Sequence, residues 1–198
     1  MDYRKNVYNI CRKLAQKFDR PRGFLDFSSS SQLFFDSYIP GTGIHSDGAK
    51  IIANYLKTIA LERPDAMERI DFTHNRIGND ATKAIADLVV ARNGGLKSVD
   101  LDFNIITSNG VKPFCDEDVL GKLISLSFSG NSIQDEGATY LAEAIETNTS
   151  LIGLDVTHNE IGDAGATKLG NSLLISPNKE LHIEGRVYYS AKELLNEI

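Results

Sequence analysis

The segment "LIGLDVTHNEIGDAGATKLGNSL", residues 151–173, combines the patterns of two different secondary structures. In its first half, Leu154 and Val156 alternate with polar residues, which is typical of a short strand with one buried face. Asn159 and Ile161 come next, and the second half reads as a helical segment. The segment therefore predicts a strand, a turn and a helix in that order.

The same phrase returns along the chain in register. It begins as "MERIDFTHNRI" near 67, "LKSVDLDFNII" near 96 and "LISLSFSGNSI" near 123, with a less regular copy, "FFDSYIPGTGI", near 34 and a truncated one, "NKELHIEG", near 178. Internal similarity at this period is the signature of a repeat protein. One such unit cannot bury its apolar side alone, so neighbouring units must stack to complete a continuous core.

Each repeat predicts two layers. Ile70 and Phe72 point to one side of their strand, and Asp71 and Thr73 point to the other. The strands then stack side by side as a parallel sheet, and amphipathic helices form the opposite layer. In residues 135–148, the apolar side chains of Ala138, Leu141, Ala142 and Ile145 recur at the 3.6-residue period. One asparagine position is shared by four of the repeats: Asn75, Asn104, Asn131 and Asn159.

The pattern Leu-x-x-Leu-x-Leu-x-x-Asn-x-Ile followed by a helix resembles the leucine-rich repeat, and the long repeats resemble the ribonuclease-inhibitor type. The resemblance implies an α/β solenoid, a short curved horseshoe with parallel strands on the concave face and helices on the convex face. It also implies that the shared asparagine satisfies backbone groups where the strand turns inward. Related repeat proteins inhibit a basic enzyme, activate a small GTPase or cap actin, although no residue of those functions carries over to this chain.

Three regions follow from these patterns. Residues 1–33 are predicted to hold an N-terminal capping helix and a lead-in strand, residues 34–185 the leucine-rich repeats, and residues 186–198 a C-terminal capping helix, because an open solenoid must cover its end repeats. Pro113 lies where the helix of its repeat is expected, so that helix should be short or broken. The acidic group at residues 116–118 should then be exposed.

Composition limits the partners. The chain has 198 residues, a net charge of -6 and a pI near 5.2, which argues against nucleic acid and favours a protein partner, possibly a basic one. The N-terminus does not read as a signal peptide, and no segment reads as a membrane span. We expect a cytoplasmic protein that is monomeric in isolation, with a nuclear location or delivery into a host cell left open. Cys11 and Cys115 indicate neither a disulfide framework nor a zinc site.

Function is expected on the outward-facing strand residues. Across the sheet they form three columns, of which the first is predicted to be Tyr38, Asp71, Asp100, Ser127, Asp155 and His182. The second contains Asp102 and Glu184, and the third contains the exposed aromatic ring of Phe103 between two histidines. A negative stripe of this kind favours a basic partner. The alternative is that polar residues only solvate the sheet. The predicted partner-binding residues are Tyr38, Asp71, His74, Asp100, Asp102, Phe103, Asp155 and His158.

No catalytic, cofactor or metal site is predicted. His74 and His158 occupy equivalent positions three strands apart, about 14 Å at ~4.8 Å per strand, which is too far to share a metal. The glycine-rich "GTGIHSDGAK" at 41–50 departs from a phosphate-binding loop at Ala49 and Ile51. The chain is therefore predicted to be a non-enzymatic interaction module. The alternatives are a structural subunit contacting its assembly through helices and caps, a bacterial protein acting on host proteins, and an enzyme or ligand binder using the Asp/His face.

Overall fold

The computed structural model describes residues 23–26, 44–60, 67–185 and 189–190. The predicted N-terminal capping helix lies outside these residues. Of residues 186–198, where a C-terminal capping helix was predicted, only 189–190 are described, and they form a strand that pairs antiparallel with the last parallel strand. Strands and helices alternate along the chain: β1, Gly23–Asp26; α1, His45–Ala60; β2, Met67–Asp71; α2, Asn79–Ala91; β3, Ser98–Asp100; α3, Ser108–Val111; α4, Glu117–Leu120; β4, Ser125–Ser127; α5, Gln134–Ile145; β5, Gly153–Asp155; α6, Asp163–Ile175; β6, His182–Glu184; and β7, Tyr189–Ser190.

The strands form a seven-stranded sheet in which β1 to β7 lie in the order of the sequence. Neighbours from β1 to β6 pair in parallel, and β7 pairs antiparallel with β6. The major helix contacts join elements that are close along the chain, α1 with α2 and α5 with α6. Each repeat therefore packs on its neighbours, as the predicted α/β solenoid requires.

The core lies between the sheet and the helices. Ile70, Phe72, Leu126 and Phe128 are fully buried, and the alternating strand positions are more exposed or polar. The predicted helix stripe is also confirmed, since Leu141, like its apolar neighbours on α5, is fully buried. Burying a side chain of this size contributes about 1.5–3 kcal/mol. The sheet side that faces away from the helices is called the open face below.

The shared asparagines form the predicted ladder. The Asn104 side-chain oxygen accepts hydrogen bonds from the backbone N–H groups of Ile77 (2.8 Å) and Asn75 (3.0 Å). Its amide nitrogen donates to the carbonyls of Phe72 and Leu101 at 3.1 and 3.0 Å. Equivalent bonds link the other asparagines to the preceding repeat. Each amide thereby satisfies buried backbone groups that neither strand nor helix could pair.

A second set of side chains joins the repeats where the helices begin. The Ser46 hydroxyl, the Asn79 side-chain oxygen and the Asp135 carboxylate each accept a hydrogen bond from a backbone N–H of the following repeat. The donors are Gly78, Thr107 and Gly162, the residues that immediately precede the next helix. Each of these helix starts therefore takes its capping acceptor from the neighbouring repeat, which makes the cap a contact between repeats.

The strand beside β2 is not the one that the sequence pattern indicated. The less regular copy near 34 placed Tyr38 next to Asp71, whereas the structure pairs Asp26 of β1 with Asp71. Ile44 nevertheless occupies its expected place, because its N–H donates to the Asn75 oxygen at 3.1 Å. The first strand is thus separated from its helix by a longer connection than in the other repeats. Tyr38 itself lies outside the described residues.

The last parallel strand is shifted by two residues from the alignment. Placing the repeat start near 178 put His182 beside Asp155, but the structure pairs Glu184 with Asp155 and His182 with Gly153. The turn after α6 accounts for the shift. It contains a buried Ser176 and an Asn178 whose amide donates to the Leu151 carbonyl at 2.6 Å, so two more residues precede the strand.

The helix of the Pro113 repeat is broken, as predicted. It consists of α3, a 3-10 turn over Lys112–Phe114 and α4. Phe114 still reaches the core, where its ring meets Phe128 edge to face with centroids 5.3 Å apart. Asp116 caps α4 by accepting a hydrogen bond from the Asp118 N–H, and the acidic residues 116–118 are exposed.

Candidate functional site

One column of the open face is almost entirely acidic. The strand register aligns six residues across the sheet, and five of them are carboxylic acids: Asp26, Asp71, Asp100, Ser127, Asp155 and Glu184. Neighbouring strands are ~4.8 Å apart, so the charges of Asp71 and Asp100, and those of Asp155 and Glu184, repel each other. These residues are called the acidic column below. It has the same number of positions as the sequence pattern indicated but two more acids, because Asp26 and Glu184 take the places assigned to Tyr38 and His182.

Asp102 adds a carboxylate beside this column. Its oxygen accepts hydrogen bonds from the Ser127 hydroxyl and from the Ser129 backbone N–H, the latter at 2.9 Å. Ser129 in turn shares a 2.6 Å hydroxyl contact with Thr157 of the next repeat. These bonds hold the Asp102 side chain in place across β3 and β4, while every donor to it is a neutral group.

The Asp71 and Asp155 side chains make equivalent hydrogen bonds to the backbone. Each carboxylate accepts a hydrogen bond at 2.8 Å from the backbone N–H two residues later, that of Thr73 or Thr157. This local turn fixes the acid at the end of its strand. Both side chains remain partly exposed on the open face.

Arg69 compensates one acid of the column. Its guanidinium contacts a single Asp100 oxygen through two nitrogens, at 2.8 Å from Nε and 2.5 Å from Nη2. Arg69 was not among the predicted site residues. Its position two residues before Asp71 could have revealed it, because residues two apart on a strand lie on the same face.

Burial changes the titration of two of these acids. Burial raises the pKa of the Asp100 carboxyl, Arg69 opposes that shift, and the charges of Asp71 and Asp155 add to it. Burial likewise raises the pKa of Asp102, with hydrogen bonding from Ser127 opposing it and the charge of Asp100 adding to it. The ionised column is therefore costly in the free protein.

The acids surround a shallow depression in the open face. It has a volume of about 260 Å³ between β3 and β6, where Ser125 and Gly153 leave room beneath the rim. Asp100, Asp102, Asp155 and Glu184 line it. The depression therefore presents carboxylates to any group that enters from the open face.

Three aromatic rings lie in one row of equivalent residues at the edge of the open face, where the strands end. His74, Phe103, Gly130 and His158 occupy equivalent positions, and all four have left-handed backbone conformations with φ between 50° and 66°. The His74 and Phe103 rings are stacked with centroids 4.5 Å apart. The Phe103 ring also covers Gly130, since a Cβ there would lie 2.5 Å from a ring carbon. His158 lies two strands beyond Phe103.

The structure thus brings together most of the predicted residues but not as one cluster. Asp71, Asp100 and Asp155 share a column with Asp102 beside it, and His74 contacts Phe103. Ile105, two residues after Phe103, was missed, although it is 62% exposed. The repeat pattern assigned the buried apolar position to its neighbour Ile106 and gave Ile105 no role.

A metal site and a membrane-spanning helix are both absent from the described part of the chain. No group of three or more His, Cys, Asp or Glu side chains there is arranged to hold a metal ion. In the same residues, no helix has both the length and the apolar character needed to cross a bilayer.

Comparison with known families agrees with this architecture. A family model for the leucine-rich repeat matches residues 96–115, 122–142 and 147–170. A search of curated proteins gives no match to the chain. The matched repeats, the parallel sheet and the helical layer support a leucine-rich repeat protein with an α/β solenoid fold. Domains of this class generally mediate protein–protein interaction and are typically non-enzymatic.

Proposed function

We propose that the protein is a non-enzymatic interaction module that binds a basic protein partner through the open face. The acidic column is the observation that carries this proposal. The Asp71, Asp102 and Asp155 carboxylates accept hydrogen bonds from neutral groups, which orient them without cancelling their charge. A partner that supplies lysine or arginine would relieve their mutual repulsion and gain in association rate.

The depression between β3 and β6 supports the same partner. Its four carboxylates and His182 surround a space over Ser125 and Gly153, where a long cationic side chain could reach the carboxylates from the open face. The pair of Asp100 with Arg69 supports this interpretation, because it places a guanidinium against a carboxylate of the same face. The predicted partner surface also includes His74, Phe103 and His158 at the edge beside the column, and Tyr38, which lies outside the described residues, stays a prediction.

The proposal includes the repeat type, the class of partner, the location and the oligomeric state of the protein. Twelve- and thirteen-residue helices opposite short strands favour the ribonuclease-inhibitor type of repeat. The net charge of -6 favours a protein partner over nucleic acid. We also propose that the protein acts in the cytoplasm as a monomer, with its end repeats capped by residues 1–33 and 186–198.

The experiment neutralises charges while keeping the side-chain shapes. One variant carries Asp71→Asn, Asp155→Asn and Glu184→Gln on the open face, because asparagine keeps the oxygen that accepts the local hydrogen bond. The control variant removes the same number of charges from the exposed helix side with Asp47→Asn, Glu117→Gln and Glu143→Gln. Partners are captured from lysate with both variants, identified by mass spectrometry and then titrated as purified proteins at two salt concentrations.

We expect the purified partner to bind the open-face variant at least about tenfold more weakly, with a smaller salt dependence, because close charge pairs at interfaces couple by ~1.5 kcal/mol or more. The helix-side variant should bind like the wild type. If the partner loses affinity only for the helix-side variant, the function lies on the helices, as the structural-subunit alternative requires.

A further inference from the structure

Phe103 and Ile105 form an exposed apolar edge beside the acidic column. They are 47% and 62% exposed, whereas the strand residues that point into the core are fully buried. Both residues lie in the turn that follows β3, Phe103 directly after Asp102 and Ile105 on the other side of the buried Asn104. Large apolar residues in an otherwise polar surface mark interaction sites when they are grouped and rimmed by polar residues.

The Phe103 ring is held in place before any partner binds. One face stacks on His74, with the ring planes 7° apart, and the ring also packs over Gly130, where the absence of a Cβ gives it room. Its left-handed backbone, with φ of 50°, is shared by its neighbours in the row. A ring whose position is already fixed loses little conformational entropy on binding.

Ile105 is also fixed at its backbone. Its N–H donates to the Ile77 carbonyl at 3.0 Å, and its Cδ1 lies 3.8 Å from the position that a Cβ on Gly78 would take. The side chain therefore lies across the boundary with the preceding repeat while most of its surface stays open. Nothing about the fold requires this residue to be apolar.

The apolar edge occurs in one repeat. At the position of Ile105 the neighbouring repeats carry Arg76, Ser132 and Glu160, and at the position of Phe103 they carry His74, Gly130 and His158. A single apolar spot surrounded by polar residues is the usual arrangement of an interface hot spot and its water-excluding rim. Because Arg76 lies on one side of Ile105, basic groups of a partner are favoured on the other side, towards Asp102 and β4.

We propose that the apolar edge receives a large apolar side chain of the basic partner, whose adjoining lysine or arginine residues contact Asp102 and the acidic column. This inference rests on the proposed function and adds the chemistry of the partner: a cationic segment with an apolar anchor, rather than a purely basic one. Charge supplies attraction and orientation, and the apolar contact supplies the main discrimination between basic partners.

Two synthetic peptides of equal charge test the proposal. The first is a 16-residue peptide of alternating arginine and serine, and in the second leucine replaces every other serine. Fluorescence anisotropy measures the affinity of each for the full-length wild type. We expect the leucine peptide to bind at least about tenfold more tightly, as burial of one leucine side chain allows.

Four variants locate the effect. Ile105→Ser and Phe103→Asn should reduce the ratio of the two affinities to about two or less, and asparagine tolerates the left-handed conformation at residue 103. Ile175→Ser is the matched control, because Ile175 is 65% exposed at the end of α6 and lies on the helix layer. Ile105→Leu should keep the wild-type ratio. Thermal unfolding shows whether each variant is folded before titration.

The two peptides separate this inference from the proposed function. Equal affinity of both for the wild type, or an unchanged ratio in both edge variants, would overturn the apolar anchor while leaving the acidic face intact. If the serine peptide binds the Asp71→Asn, Asp155→Asn, Glu184→Gln variant as tightly as the wild type, the proposed function is wrong. Absence of saturable binding by either peptide counts against both.

Discussion

The imidazole ring of His74 lies parallel to the phenyl ring of Phe103, with centroids 4.5 Å apart and planes 7° apart. The two residues come from adjacent repeats and have nearly the same left-handed backbone conformation. The ring spacing is close to the ~4.8 Å separation of neighbouring strands. The stack therefore follows from the repeat itself: equivalent backbones on successive strands place planar side chains face to face.

This stack should be measurable as a coupling between the two side chains. We expect the double-mutant cycle of His74→Asn and Phe103→Asn to give an interaction of about 0.5–1 kcal/mol, since aromatic pairs contribute that much and both rings are exposed. Urea unfolding of the four proteins provides the measurement. Additive changes would mean that the rings are neighbours without a stabilising contact.

Replacement of Gly130 by alanine is expected to destabilise the protein. A Cβ at this residue would lie 2.5 Å from a carbon of the Phe103 ring, and φ is 66°. We expect Gly130→Ala to lower the free energy of unfolding by about 1–3 kcal/mol through strain and displacement of the ring. Adding Phe103→Asn should recover part of that loss, as seen by urea unfolding.

Gly170 provides the matched control for this substitution. It lies within α6 and has nothing within 4 Å of an added Cβ. Gly170→Ala should therefore stabilise the protein by about 0.5–1 kcal/mol, because alanine is the better helix former. A loss at Gly170 as large as that at Gly130 would contradict the steric explanation.

The asparagine ladder should be essential for stability. Asn104→Ala removes the acceptor of two backbone N–H groups and the donor to three carbonyls, those of Phe72, Leu101 and Asp102. Because a buried group that loses its partner costs about 1–3 kcal/mol, we expect a loss of at least about 3 kcal/mol in the free energy of unfolding. Asn109→Ala, at an exposed position of α3, should change it by less than about 0.5 kcal/mol. Equal losses of stability at the two positions would contradict the role assigned to the asparagine ladder.

The stability of the open face should depend on pH through Asp102. Burial raises the pKa of its carboxyl in the folded state. The stability that protonation of Asp102 gives to the folded state is therefore fully present below the unfolded pKa of about 3.9. It is lost as pH rises through the folded pKa. Asp102→Asn removes this titration, so the variant should gain stability relative to the wild type between pH 3 and pH 7. Urea unfolding across that range checks the sign, and a relative loss on raising the pH would contradict it.

Cys115 should be unreactive in the folded protein. Burial raises the pKa of its thiol to about 12, with the charge of Glu143 adding to the shift. The thiolate is the reactive form, so in a Cys11→Ser background we expect the reaction with a disulfide reagent at pH 8 to be at least about a hundredfold slower than in urea. Rapid reaction without denaturant would show that the Cys115 side chain becomes accessible in the native protein.

Much of the fold could be predicted because its causes are local and repeated. The alternation around Ile70 and Phe72 specifies a strand with one buried face, and the helical stripe of α5 specifies the opposite layer. Asn104 marks the point where the strand turns. Pro113 likewise predicts its own broken helix. Each of these features depends on a few neighbouring residues and on the stacking of like units, so a single sequence is sufficient to recognise it.

The site was less predictable because it depends on register between repeats. The sequence alone determined the repeat fold, the asparagine ladder and the acidic character of one strand face. Only the tertiary structure decided that Asp26 and Glu184 complete the column, that Arg69 pairs with Asp100, and that the Phe103 ring lies over Gly130. The reason is physical: a longer connection or two extra turn residues leave the local pattern intact but change which side chains become neighbours across the sheet.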